Sequence, residues 1–194
     1  IATTKMLLAA GASHIVGVDK TGIITSNKDY DNEMWQWYAE HTNADKIEGS
    51  LSTAVEGADI FIGVSVGDIL SEEDVKRMAD DAIVFALANP NPEISPELVK
   101  EHVCVMATGS ADYPNQINKL LCFPGIFRGA LDAKATTINE EMKLAAAEAI
   151  AGTIDEEELS KEYIIPGVFN KNVVTNVRDA VYQAAVESGV SRKF

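Results

Sequence analysis

Four short apolar runs, beginning near residues 15, 60, 83 and 103, constrain this chain more than any other feature of it. Each is apolar at consecutive positions rather than alternate ones, the pattern of a strand buried on both faces of a parallel sheet. Stretches of helical periodicity separate them. Strands alternating with helices predict an α/β fold, a parallel sheet with helices on both faces.

The first 10 residues read as a helix that Gly11 terminates, and residues 15–18 read as a strand ending at Asp19. Helix, strand, then acid is the second half of a dinucleotide-binding unit, whose acid lies about 20 residues beyond a glycine-rich loop. That spacing puts the loop just before Ile1. The expected fold is therefore a Rossmann-like doubly wound parallel sheet that lacks its first strand and glycine loop. The first strand is central in such sheets, so the strand at 15–18 is expected to lose its link to the later ones. Residues 1–194 are expected to form one domain, incomplete at its N-terminal end, with C-terminal helices over about 139–194.

Residues 30–41 carry Met34, Trp35, Trp37 and Tyr38 at helical spacing, an aromatic stripe that serves either packing or a cofactor. The strand at 59–64 runs into Gly63, Val64, Ser65, Val66 and Gly67, small residues that let backbone approach a ligand. Ser71 and Asp74 predict a capped helix to about 79, and a buried strand follows over 82–87. Ser95 and Pro96 predict a helix start. After the strand at 103–107, helices are predicted over 125–133 and 140–151, and again where Val173, Val177, Ala180, Val181 and Ala184 recur.

Just beyond the 103–107 strand, Asn115, Gln116 and Asn118 fall within four positions. Amides donate and accept, so a cluster at a strand's carboxyl end either grips a polar ligand or satisfies its own backbone. Partners are narrowed by charge: a net −14 argues against nucleic acid, where a basic footprint is expected. No apolar run approaches the roughly 18 residues of a membrane span. Cys104 and Cys122 sit in apolar surroundings as buried thiols, which fits a reducing, cytoplasmic compartment. His14, His41 and His102 have no ligand-like spacing, and no carboxylate cluster suits a hard cation, so no metal ligand is assigned.

The run from Asp112 to Ala130, extended through Leu131, Asp132, Ala133, Lys134 and onward to Ala145, resembles the signature of malic enzymes, especially bacterial ones. The resemblance is to the C-terminal, NAD-binding domain. It continues through 83–94 and 163–193, and so spans nearly the whole chain.

Several roles are implied by that resemblance. Asp19 matches the acid that accepts from both ribose hydroxyls of NAD and repels a 2′-phosphate, while Lys20 beside it softens the discrimination. Gly63, Val64 and Ser65 match the segment lining the nicotinamide-ribose side of the cleft, although Ser65 alone is equally a strand-end cap. Asn89 matches an asparagine that reaches both substrate and nicotinamide, and Pro90 biases it away from helix. Asn118 matches the first of an Asn-Asn pair on the substrate. Here Lys119 replaces the second, and Gly109, Ser110, Ala111 and Asp112 lack the arginine that usually follows the glycine.

The implied activity is NAD-dependent oxidative decarboxylation of L-malate to pyruvate and CO2 with Mg or Mn, in a homodimer or higher homo-oligomer. The family's proton-transferring lysine and tyrosine and its metal carboxylates are expected outside this chain, so no catalytic residue is assigned within it. Two other readings stay open: decarboxylation of oxaloacetate without net oxidation, and a non-catalytic nucleotide-binding or oligomerisation module.

Overall fold

The structure, a computed structural model, describes residues 1–192. The chain divides into two compact units, Ile1–Val105 and Met106–Phe194.

The first unit opens with α1 (Ala2–Ala9). Gly11, at φ +90°, ends it, because its amide and that of Ala12 turn back to the carbonyls of Leu8 and Leu7. The next segment departs from expectation. In place of a parallel strand over 15–18, β1 (Val18–Asp19) pairs antiparallel with β2 (Gly22–Ile23). The cause is local. Asp19 Oδ1 accepts from the Thr21 amide at 2.7 Å and the Thr21 hydroxyl at 2.6 Å, and Gly22 supplies the φ of +111° that closes the hairpin.

Asn32 caps α2 (Glu33–His41) by accepting from the Met34 amide. Of the aromatic stripe on this helix, Trp37 and Tyr38 pack, while Met34 and Trp35 are exposed. A Cβ on Gly17 would lie 2.2 Å from the Tyr38 ring, Lys5 Nζ sits 4.7 Å above Trp37, and Trp37 stacks on His41. After α3 (Leu51–Ala54), β3 (Ile60–Gly63) and β4 (Ile83–Ala86) run parallel, in register from Ile60 opposite Ile83 to Gly63 opposite Ala86.

Between them α4 (Glu72–Val75) starts at the expected capping box of Ser71 and Asp74, although it ends earlier than 79. Pro96 opens α5 (Pro96–Val99), but Ser95 does not cap it; its hydroxyl donates to Glu97 instead. The sheet, ordered β3-β4-β5, is joined by β5 (Val105–Thr108) at Val105, with the Cys104 amide donating to Ala82. Phe61, Val75, Val84, Ala86 and Val99 are buried around it. Each large apolar side chain so buried contributes about 1.5–3 kcal/mol.

In the second unit a short turn of 3-10 helix (Lys119–Leu121) leads into α6 (Phe123–Asp132), followed by α7 (Glu140–Ala151) and α8 (Lys171–Glu187). Val173, Val177, Val181 and Ala185 recur every four residues on α8 and fill the core with Leu121, Ile126, Met142 and Ala146. The region 139–194 is not helical throughout. Residues 152–170 are irregular, broken by Gly152, Pro166 and Gly167, and the last two positions lie outside the described residues. Cys104 and Cys122 are unpaired and half-buried; burial pushes the Cys122 thiol up from its ordinary value. No helix among the described residues is long and apolar enough to cross a membrane.

Candidate functional site

The carboxyl ends of two neighbouring parallel strands lie side by side in the first unit. Gly63 ends β3 opposite Ala86, which ends β4, and the Leu87 amide still donates to the Gly63 carbonyl at 3.1 Å. Two residues beyond each strand the backbone amides turn inward to a single side chain. Glu93, with no exposed surface, accepts from the Ser65 amide at 2.9 Å through Oε1 and from the Ala88 amide at 3.0 Å through Oε2. The Ser65 hydroxyl lies 3.4 Å from the same Oε1.

Backbone bonds from Asp68 to Pro92 and from Leu70 to Glu93 knit the rest of the two loops together. Gly63 and Gly67 are small for this reason. A Cβ at 63 would come 2.3 Å from the Glu93 carboxyl carbon, and one at 67 would come 2.7 Å from Asn91 Cβ. At Gly63, then, the close approach that glycine permits is made by Glu93.

This arrangement leaves Val64 and Ser65 exposed at one rim and Asn89 exposed at the other, the latter preceding a cis bond to Pro90. Ligands of open α/β sheets bind at such strand ends. Gly63, Val64, Ser65 and Asn89 thus lie on the two loops that Glu93 joins. Asp19 stands on its own hairpin, half-buried, and its hydrogen bonds stay local. They occupy Oδ1, which leaves Oδ2 open to accept from a ribose hydroxyl. A dinucleotide therefore fits the chemistry of this unit: an open carboxylate oxygen and a fixed strand-end rim.

Asn118 belongs to the second unit. Its Oδ1 caps the 3-10 turn by accepting from the Leu120 amide at 3.0 Å, and its Nδ2 remains a donor. The rest of the amide cluster serves the backbone. Asn115 is buried at φ +56°; its Nδ2 donates to the carbonyls of Met106 at 3.0 Å and Lys161 at 2.8 Å, and its Oδ1 accepts from the Ile164 amide at 2.9 Å. Gln116 pairs with Thr108 as a bridge residue. Lys119 is exposed. Among the described residues no group of three or more His, Cys, Asp or Glu side chains is placed to hold a metal, so these side chains do not by themselves fit a metal centre.

Glu93 is the residue that sequence reasoning passed over. Its only signal was a lone carboxylate between Pro92 and an Ile-Ser-Pro helix start, where an exposed acid would look the same.

Fold and strand-end rim define a dinucleotide-binding α/β domain. The chain belongs to the malic enzyme, NAD binding domain family, whose model matches residues 3–186. It is 62% identical over 193 residues to an NAD-dependent malic enzyme of Geobacillus stearothermophilus, covering 100% of this chain and 40% of that one. It is 42% identical over 211 residues to an NADP-dependent malic enzyme of Halomonas elongata, covering 100% and 49%. The crystal structure of an NAD-dependent malic enzyme from Thermotoga maritima matches 92% of this chain and 47% of that one, at 45% identity with a TM-score of 0.87. The chain thus spans less than half the length of these relatives.

Proposed function

We propose that this chain is the cofactor-holding part of an oxidative decarboxylase that converts L-malate to pyruvate and CO2. The observation that carries the reading is the rim at the ends of β3 and β4, fixed by one buried carboxylate and edged by residues 64, 65 and 89. Bound NAD supplies the hydride acceptor at this rim. Asp19 accepts from the adenosine ribose through Oδ2 and disfavours a 2′-phosphate, which makes NAD the preferred cofactor over NADP. Gly63, Val64 and Ser65 face the nicotinamide ribose. The Asn89 amide orients both nicotinamide and malate. In the second unit the free Nδ2 of Asn118 and the exposed Lys119 cation suit a carboxylate such as malate's.

The proton-transferring groups lie elsewhere in the protein, as do the ligands of the Mg or Mn that would polarise the C2 oxygen. A homodimer or larger homo-oligomer in a reducing cytoplasm completes the reading. It is tested by adding malate and NAD to the intact protein. Saturable NADH formation is expected. Release of CO2 from oxaloacetate without any NADH from malate would replace it with simple decarboxylation, and no activity with either, despite NADH binding, would leave a nucleotide-binding module.

A further inference from the structure

Glu93 is buried without a cationic partner among the described residues, although a carboxylate removed from water is stable only when its lone pairs are met. The groups that meet them come from two different loops. The paired residues of β3 and β4 end at Gly63 and Ala86, and the amides of Ser65 and Ala88 lie two residues past that end. One carboxylate takes both, Oε1 holding the first loop at 2.9 Å and Oε2 the second at 3.0 Å. It thereby ties the two loops together just beyond the strand ends. Gly63 makes room for it, since any Cβ there would overlap the carboxylate.

We infer that Glu93 is a positioning residue for the bound dinucleotide: it clamps the loops after β3 and β4 so that Ser65 and Asn89 face the ligand at a fixed separation. This rests on the function proposed above. A neutral glutamine of the same shape cannot replace it, because its NH2 would point at one of the two backbone N–H groups, donor against donor.

The test is NADH binding to the intact protein by fluorescence titration, with melting temperature and circular dichroism recorded on the same samples. E93Q is expected to weaken NADH binding by about tenfold or more, the effect of losing one hydrogen bond to a charged group, while the protein remains folded. In an S65A/N89A background the same change is expected to cost no more than about threefold, because the two side chains through which the clamp acts are gone.

A loss from E93Q that is equal in both backgrounds would mark a purely structural role and overturn the inference, as would unchanged affinity. If E93Q does not fold, Gly63→Ala is read instead, since it keeps the charge and crowds the carboxylate; unchanged affinity there overturns the inference too. Absence of saturable NADH binding by the unaltered protein is a distinct result, sinking the functional reading and this inference together.

Discussion

Replacing Gly129 with alanine puts a helix-favouring residue where the structure has no space for it. The two effects oppose each other, and their sizes decide the sign. Alanine in a helix interior is favoured over glycine by about 1 kcal/mol. Against that, a Cβ at 129 would lie 2.5 Å from the Arg178 carbonyl oxygen and 2.8 Å from Val181 Cβ, both on α8. A backbone carbonyl inside a helix cannot swing aside, so α6 must move away by roughly 1 Å to restore ordinary contact. That opens an interface holding Ile126, Val177 and Val181, all at most 8% exposed. Overpacking of this kind costs about 1–3 kcal/mol and sometimes more.

Here the upper part of that range applies, since the obstacle is backbone and the core on either side is full. Gly129→Ala should therefore destabilise by roughly 1–2 kcal/mol net, a fall in Tm of about 2–8 °C at 2–4 °C per kcal/mol. Thermal denaturation of the intact protein reads it. Gly167→Ala is the control: no atom lies within 4 Å of its Cβ and its φ is not positive, so a neutral result or a gain of about 0.4–1 kcal/mol is expected. A Gly129→Ala protein as stable as the parent would refute the packing argument.

Other sites give equally definite outcomes. Asp19→Asn keeps an acceptor for Thr21 and removes the charge; a charge pair at 4 Å interacts by about 1 kcal/mol in water and 4 at an effective dielectric of 20, so the kcat/KM preference for NAD over NADP should fall at least about fivefold. Asn115→Ala strands two carbonyls and an amide and puts alanine at φ +56°, which should cost about 2–4 kcal/mol in urea denaturation. At Asp74 burial pushes the pKa up, but hydrogen bonds from the Ser52 and Ser71 hydroxyls and the Ser71 amide outweigh it, leaving the carboxyl below its ordinary value. A lowered folded pKa gives stability that is complete above the ordinary carboxylate range and is lost as pH falls through the folded value. Asp74→Asn should thus cost about 1 kcal/mol near pH 7, with Tm values that converge on the parent's below about pH 4; a gap that persists in acid would contradict this.

Where the sequence was readable, a local rule had no competitor. The helix predicted over 140–151 is α7, because a capping Asn139, two acids in the first turn and Gly152 at the end all agree. The strands near 60 and 83 and the cap at Ser71 were equally plain. The segment at 15–18 misled because apolar residues before an acid fit two geometries, and the Asp19–Thr21 bonds choose a hairpin. Asn115 was ambiguous for a different reason. Its partners, Lys161 and Ile164, lie 46 and 49 residues away, beyond the reach of any local pattern. Glu93 was invisible because burial of a lone carboxylate depends wholly on two loops closing over it. Ser65 and Asn89, both exposed on the rim, were singled out through family resemblance, while the group that fixes their loops needed coordinates.

A crystal structure of the intact protein with NAD would test the central claim most directly. The nicotinamide ribose is expected within hydrogen-bond distance of Ser65 or Asn89, the adenosine ribose on Asp19 Oδ2, and Glu93 still joined to the amides of Ser65 and Ala88. NAD bound away from the ends of β3 and β4, or with its ribose hydroxyls out of reach of Asp19, would contradict it.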